Sequence, residues 1–248
     1  MKPDRTVIVQ ADDIGMCQAT VSALPELLQG GLVTSLSLMA PCPWFAAAAD
    51  WCRRHPEMET GLHVTLNSEW EFYRWRACTG AVADADGFMP RTLEELNGLD
   101  ASAALTEARA QMERLQSAGL TCTHVDAHMF AMRRLFPAEY LTLAAEWRVP
   151  ALARPPFDRI AVAPNEGDPE NRVDTLKALF DGLPPGLSCV ILHPASDTPE
   201  LRAILPKWRY RVADLAAARD SRLLAHLRSV GIRRITYREL PSPKPATD

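Results

Sequence analysis

The 248-residue sequence lacks the features that mark several common protein classes. No apolar run approaches the roughly 18 residues needed to cross a bilayer, and the first residues do not contain the apolar core of a signal peptide. The net charge of −4, with lysines and arginines scattered along the chain, argues against a nucleic-acid-binding surface. The six cysteines form no C-x-x-C pair, which argues against a cysteine-based zinc site. We therefore expect a soluble cytoplasmic protein with reduced thiols and with no nucleic-acid or membrane partner.

The familiar nucleophile motifs are also missing. The sequence has no G-x-S-x-G segment, no cysteine next to a histidine and no glycine-rich phosphate loop. Covalent catalysis by serine or cysteine and P-loop chemistry are therefore not indicated.

Apolar segments of strand and helix type alternate along the chain. Hydrophobic residues make up 47% of the sequence, which is enough for a sizeable core. The pattern predicts about seven strands, at residues 7–13, 34–40, 60–66, 121–127, 150–154, 188–192 and 234–237. It predicts helices at residues 17–29, 44–55, 101–118, 137–147, 173–183 and 212–230, the last one broken near Asp220.

Strand–helix alternation favours a parallel α/β fold, either an open doubly wound sheet or a closed barrel. We expect one domain over residues 1–240 and a flexible C-terminal tail over residues 241–248. Residues 67–99 follow neither periodicity, and a long irregular insert of this kind is more often a functional loop than an accident.

Reactive side chains collect where the predicted strands end. They are Asp12, Asp13, His63, His124, Asp126, His128, Arg154 and His193. In parallel α/β folds the active site lies at the carboxyl ends of the strands, so this distribution predicts a shared site.

Two adjacent carboxylates, Asp12 and Asp13, end the buried first strand. Burying them is costly unless a metal ion, a basic side chain or backbone N–H groups compensate the charge. Helix capping would explain one of the two acids but not both.

The segment His124-Val125-Asp126-Ala127-His128 places its three polar side chains on one face of a strand, because side chains alternate with period two. A single buried histidine is usually a hydrogen-bonded core residue. Three such groups near two further acids instead match the ligands of a hydrolytic metal ion. Zinc is favoured, and magnesium or manganese remain alternatives.

The motifs resemble those of a known family, the YdjC-like (ChbG/HpnK) carbohydrate deacetylases. The resemblance rests on Ala11-Asp12-Asp13-Ile14-Gly15, Val33-Thr34-Ser35, Gly61-Leu62-His63-Val64-Thr65-Leu66, Thr123-His124-Val125-Asp126-Ala127-His128, Arg154-Pro155 and Leu192-His193-Pro194-Ala195. It implies a distorted TIM-type (β/α) barrel that removes the acetyl group from an N-acetylated sugar or oligosaccharide with one bound divalent metal ion.

The resemblance also implies roles for individual residues. Asp13, His63 and His128 would hold the metal, Asp12 would be the general base for the attacking water, and His193 would be the general acid for the leaving amine. His124 and Asp126 would orient these groups, with His124 as an alternative ligand to His128. The histidines that follow this motif in many relatives are replaced by Met129 and Phe130, which leaves the substrate subclass open.

Three substrate-binding residues are predicted outside this set. Trp70 and Trp75 can offer aromatic faces to a sugar ring, or alternatively plug one end of the barrel. Arg154 can hold Asp12 in its ionised form, or form an ordinary salt bridge. Hydrolysis of another amide or C–N bond and non-catalytic binding of metal or sugar are the alternative functions, and a homodimer is one possible assembly.

Overall fold

A computed structural model describes residues 4–241 of the chain. Its centre is one sheet of seven strands, and every strand pair in it is parallel. The strands are β1 (Arg5–Ile14), β2 (Ser35–Leu38), β3 (Glu59–Val64), β4 (Cys122–Ala127), β5 (Arg159–Val162), β6 (Gly186–Leu192) and β7 (Ile232–Arg234). The order across the sheet is β4-β3-β2-β1-β6-β5, and β7 also pairs with β1.

Helices connect the strands and cover the outside of the sheet. They are α1 (Gln18–Ser22), α2 (Leu24–Gly30), α3 (Phe45–Arg54), α4 (Leu93–Leu96), α5 (Ala101–Ser117), α6 (Ala131–Leu135), α7 (Pro137–Trp147), α8 (Arg172–Asp181), α9 (Pro199–Ile204), α10 (Trp208–Ala218) and α11 (Ser221–Val230). The side chains of Asp100 and Asp220 accept the backbone N–H bonds that start α5 and α11. No helix among residues 4–241 is long and apolar enough to span a membrane.

The side chains of β1 alternate between the two faces of the curved sheet. One face packs against the helices, and the other faces the inside of the barrel. Val7, Val9 and Ala11 belong to the large apolar cluster that includes residues of the surrounding helices. Ile8 belongs to a separate apolar cluster, and Gln10 makes polar contacts with Asp12. The interior therefore changes from apolar to polar toward the carboxyl end of the strand.

The sheet is a distorted, open barrel. Beyond β4 it continues only as an isolated bridge between Val125 and Ala151. Among the described residues no β-pairing joins this bridge to β5, so the parallel strands do not close into a complete ring. The expected parallel α/β architecture with about seven strands is confirmed, whereas the division into one domain stays a prediction.

Strand β7 lies beside only the first part of β1. It pairs with Arg5 to Val7, whereas β2 pairs with the same strand from Gln10 onward. Because β6 pairs with β1 over Arg5 to Ala11, β7 must occupy the opposite edge of β1, next to the start of β2. Residues that follow β7 therefore lie inside the barrel near the start of β1, at the end opposite to Asp12 and Asp13.

Several predicted elements were wrong in detail. Residues 150–154 form no strand, because only Ala151 bridges to the sheet, and the strand β5 lies further along the chain. The last strand ends at Arg234, and Tyr237 starts a 3-10 turn instead. The predicted helix over 17–29 is two helices that meet at Ala23. The break near Asp220 is confirmed, and the predicted tail lies outside the described residues apart from Pro241.

Candidate active site

A bulge in β1 brings the two adjacent acids to one site. Ala11 pairs with Leu36 and Ile14 with Leu38, so Asp12 and Asp13 together oppose the single residue between those partners. In a regular strand neighbouring side chains would point to opposite faces. Asp13 instead has a φ of 60°, a left-handed conformation that aspartate tolerates better than most residues. Both carboxylates line one cleft of about 270 Å³.

His63 on β3 is held by a carboxylate of the next strand. Its partner in the sheet is Asp126, and the Asp126 Oδ2 atom lies 2.8 Å from His63 Nδ1. The Ser37 hydroxyl donates to the other oxygen of Asp126. With Nδ1 donating to a carboxylate, the lone pair of His63 lies on Nε2, which is 3.3 Å from Asp13 Oδ1.

His128 reaches the same oxygen from a turn and not from a strand. It follows β4 in a short 3-10 segment, where Met129 and Phe130 have positive φ angles of 50° and 56°. His128 Nδ1 lies 3.0 Å from Asp13 Oδ1, and its Nε2 lies 3.0 Å from Glu69 Oε2. Like His63, this ring has one nitrogen held by an outer carboxylate and the other directed at Asp13.

Arg211 on α10 neutralises the second oxygen of Asp13. Its guanidinium donates to Asp13 Oδ2 at 2.6 Å, which leaves Oδ1 to the two histidines. Burial alone would raise the pKa of Asp13, but Arg211 and His128 outweigh it and hold this pKa well below its usual range.

The pKa values of the two histidines are raised, whereas that of Asp13 is lowered. Burial lowers the pKa of His128, but Glu69 and Asp13 raise it more, to about 9. Burial also opposes protonation of His63, and Asp126 and Asp12 outweigh it, so its pKa lies well above the ordinary value. The carboxylates around the two rings therefore favour positive charge at this site, either as protons on the rings or as a bound cation.

Among residues 4–241, no arginine or lysine forms an ion pair with Asp12 as Arg211 does with Asp13. Its Oδ1 accepts a hydrogen bond of 2.6 Å from Gln10 Nε2, and its Oδ2 is 4.0 Å from His63 Nδ1. Burial and the nearby Asp126 carboxylate raise the pKa of Asp12 well above its usual value. The two neighbouring acids therefore differ in proton affinity.

One carboxylate oxygen and two imidazole nitrogens can hold a metal ion at this cleft. Ligand atoms of Asp13, His63 and His128 all lie within 4.8 Å of one another. In both histidines the nitrogen that faces Asp13 is available as a ligand, because the other one contacts a carboxylate. This donor set fits a divalent ion such as zinc, with positions left open for water and substrate. Asp12, His63 and Asp126 form a second such group, which shares His63.

His193 directly follows β6 and lines the same cleft. Its backbone N–H donates to Asp214 Oδ2 at 2.9 Å, and Asp214 Oδ1 accepts from Arg172 Nε at 2.6 Å. This buried ion pair fixes the end of β6. Burial lowers the pKa of His193 to about 3, although Asp13 works in the opposite direction.

His124 lies deeper in the barrel than the other predicted residues. Its ring stacks on Tyr237 with centroids 3.9 Å apart and contacts the Thr123 hydroxyl at 3.0 Å. A Cβ atom at Gly61 would lie 2.3 Å from this ring, so glycine is needed there. Burial lowers the pKa of His124 to about 4. The structure therefore brings His128, and not His124, to Asp13.

The three predicted substrate-binding residues lie in different places. Arg154 is exposed on a separate surface cleft with Arg133 and Arg159, away from Asp12. Trp75 is buried, and its ring packs edge-on against His128 at 6.1 Å, so its faces are not open to a ligand. Trp70 lines an open cleft that adjoins the main one through Glu69.

Sequence reasoning missed Glu69 and Gln10 and gave Arg211 no specific role. Gln10 carries a readable signal, because it is a polar residue inside a buried apolar strand, two positions before Asp12 and therefore on the same face. Glu69 lies in the irregular insert, and Arg211 is 198 residues away from Asp13 along the chain. No local pattern connects these two residues with the site.

Comparison with known proteins identifies the family of the chain. The family model described as YdjC-like protein matches residues 6–229. A carbohydrate deacetylase of Geobacillus stearothermophilus is 33% identical over 95% of this chain and 98% of its own length. A carbohydrate deacetylase of Thermus thermophilus is 32% identical over 86% of each chain.

Solved structures share the fold. A putative cellobiose-phosphate cleavage protein from Enterococcus faecalis superposes with a TM-score of 0.80 at 19% identity, covering 95% of this chain and 98% of the other. A family 4 carbohydrate esterase from Streptomyces lividans, in complex with acetate, gives a TM-score of 0.56 at 15% identity over 98% and 99% of the two chains. At these identities the likeness concerns the architecture alone.

Proposed function

The chain belongs to the family of YdjC-like proteins, and from this we propose that it is a metal-dependent deacetylase that removes the acetyl group from an N-acetylated sugar. The observation that carries the proposal is that two adjacent acids in one cleft have pKa values shifted in opposite directions. Asp13 is held ionised beside two histidines, whereas Asp12 keeps a raised pKa at the same cleft. Relatives named carbohydrate deacetylases support the substrate class.

In this proposal Asp13, His63 and His128 hold one divalent ion, with zinc favoured and magnesium or manganese as alternatives. When bound, the ion supplies Lewis-acid activation of water and of the acetamide carbonyl. Asp126 and Glu69 orient the two histidines by accepting hydrogen bonds from their outer nitrogens.

Proton transfer is assigned to Asp12 and His193. Asp12 Oδ2 is the oxygen not engaged by Gln10, and it accepts a proton from water as oxygen adds to the acetyl carbon. His193 protonates the sugar nitrogen as the C–N bond breaks. Because burial lowers the pKa of His193 to about 3, the free ring is neutral near neutral pH, so in this proposal the proton that it delivers is the one that Asp12 has taken from water.

The sugar is expected to lie toward the cleft that joins the metal site at Glu69. Trp70, Phe72 and Tyr73 line this second cleft of about 430 Å³. Aromatic faces suit the apolar faces of sugar rings. Of the predicted substrate-binding residues, Trp70 fits this role, whereas the positions of Trp75 and Arg154 do not support it.

Acetate release tests the proposal directly. The purified chain, stripped with a chelator and reloaded with zinc, magnesium or manganese, is incubated with N-acetylglucosamine and its oligomers and with simple acetamides. We expect turnover of the sugars only with metal present. Activity that survives exhaustive chelation would exclude metal dependence, and equal turnover of plain acetamides would favour a general amide hydrolase.

His193→Ala separates catalysis from binding. We expect it to keep metal and lose about 10²- to 10⁴-fold in kcat, since that is the usual contribution of a general acid. A non-catalytic sugar- or metal-binding protein would show no turnover to lose, with ligand binding unchanged in the variant.

A further inference from the structure

A chain of buried hydrogen bonds runs from the two interior carboxylates toward the opposite end of the barrel. Gln10 Nε2 donates to Asp12 Oδ1 at 2.6 Å and to Asp126 Oδ2 at 2.7 Å. The Tyr237 hydroxyl donates to Gln10 Oε1, also at 2.6 Å. All four side chains are at most 4% exposed, so water does not compete for these contacts.

The direction of the Gln10 amide decides whether the two acids can share it. An NH₂ group has two protons and can serve both carboxylates, whereas the carbonyl oxygen would face them with negative charge on both sides. A hydroxyl donor at Oε1 selects the first orientation. By donating to Oε1, Tyr237 therefore stabilises the orientation in which the Gln10 NH₂ group meets Asp12 and Asp126.

Tyr237 is itself held firmly. Its backbone N–H donates to Glu59 Oε2 at 2.7 Å, and the backbone N–H of Arg238 donates to Glu59 Oε1 at 3.0 Å. The ring stacks on His124 at 3.9 Å and meets Phe157 edge-on at 6.0 Å. The buried Glu59 carboxylate thus fixes the turn that carries Tyr237 beneath the site.

We propose that Gln10 and Tyr237 are positioning residues for the deacetylase reaction. Tyr237 orients the Gln10 amide, and Gln10 holds Asp12 Oδ1 so that the other oxygen, Oδ2, is left to act as the base. The inference rests on the proposed function only for its kinetic consequence, because the orientation of the amide can be measured separately.

Tyr237→Phe is the main test, since it keeps the stacked ring and removes only the hydroxyl. We expect kcat to fall about 10-fold, the size of one buried hydrogen bond, while KM and metal affinity stay unchanged. Phe157→Leu is the matched control, because Phe157 packs against the same ring and its apolar side chain cannot hydrogen-bond Gln10, so the change should lower stability but not kcat. An unchanged kcat in Tyr237→Phe would overturn the inference.

A double-mutant cycle tests whether Tyr237 acts through Gln10. Gln10→Met has a similar length and no amide, and we expect a loss of about 100-fold in kcat because both carboxylates lose a donor. Adding Tyr237→Phe should cause no further loss. Fully additive losses would show that Tyr237 does not act through the amide.

NMR of the Gln10 side-chain amide gives a readout that needs no activity. With ¹⁵N-labelled protein, we expect its two protons to exchange slowly with solvent in the wild type and measurably faster in Tyr237→Phe, because the amide then loses the hydrogen bond at Oε1. Equal protection in the two proteins would refute the orienting role. If the wild type released no acetate, the proposed function would fail, while this measurement would still decide how Gln10 is held.

Discussion

The mouth and the floor of the cleft hold the adjacent carboxylates of Asp13 and Asp12 in opposite ways. We define the mouth as Asp13, Glu69, His63, His128 and Arg211, and the floor as Gln10, Asp12, Asp126 and Tyr237. At the mouth, Asp13 has a guanidinium at 2.6 Å, and its pKa is lowered. At the floor, Asp12 has only a neutral amide as its closest partner, and its pKa is raised. The first arrangement suits a bound cation, and the second suits a proton acceptor.

Substituting the two adjacent acids one at a time should give the largest difference between mouth and floor in kcat and metal content. We expect Asp12→Asn to lose roughly 10³-fold in kcat while keeping metal, and Asp13→Asn to lose the metal itself. Acetate release and metal content measured on the same samples compare the two. An equal loss of metal in both variants would mean that the acids share one role.

The mouth should also make the metal-free protein sensitive to alkaline pH. The folded-state pKa of His128 is about 9, above its ordinary value of 6.5. Protonated His128 therefore adds roughly 3 kcal/mol to the free energy of unfolding below about pH 6.5. This contribution is lost as the pH rises through 9. Urea unfolding of the chelated protein at pH 6 and pH 10 measures this, and Glu69→Gln should reduce the difference. The same pH dependence in that variant would contradict the assigned cause.

Glu69→Gln should have a smaller effect on metal binding. The substitution keeps the side-chain size but removes the charge beside His128 Nε2. We expect metal affinity to fall about 10-fold, at the lower end for an outer partner of a metal ligand, with kcat changed little at saturating metal. Calorimetric titration checks this. A kcat loss as large as that of Asp12→Asn would place Glu69 among the reacting groups.

The smallest expected effect lies outside both regions. Asp220 caps α11 by accepting the N–H of Arg222 at 2.9 Å. Asp220→Ala should cost about 1 kcal/mol in the free energy of unfolding, with metal affinity and kcat unchanged. Thermal unfolding and acetate release provide the comparison, and any change in metal affinity would show that the cleft is coupled to this distant helix.

Burial explains which parts of the fold could be predicted from sequence. The first strand contains the run Val7-Ile8-Val9, and β6 contains Val190-Ile191-Leu192; both are buried on two faces and therefore read clearly as strands. β5 gives no such signal, because it starts at the exposed Arg159 and is only partly buried at Ile160. Its place in the sheet depends on pairing with β6.

The candidate site was predictable where single strands determine it. The strand-end positions of Asp12, Asp13, His63 and His193 follow from local pattern and parallel topology. The left-handed conformation of Asp13 and its pairing with Arg211 depend on long-range packing, which periodicity does not encode. Arg154 was predicted to hold Asp12 ionised, but the structure places it on another cleft. Periodicity does not reveal such a long-range position either.

The position of β7 has a consequence for synthesis of the chain. The other six strands of the sheet precede Ile232–Arg234 in the chain, so one edge of β1 at Arg5 to Val7 has no neighbour until that segment has been synthesised. An open edge of this kind can pair with other chains. Tyr237 arrives with the same segment, so a nascent chain that stops before it has the side chains proposed to bind metal but not the hydroxyl that donates to Gln10. In the proposed function, the full catalytic rate is therefore expected only after β7 and the turn that follows it are in place.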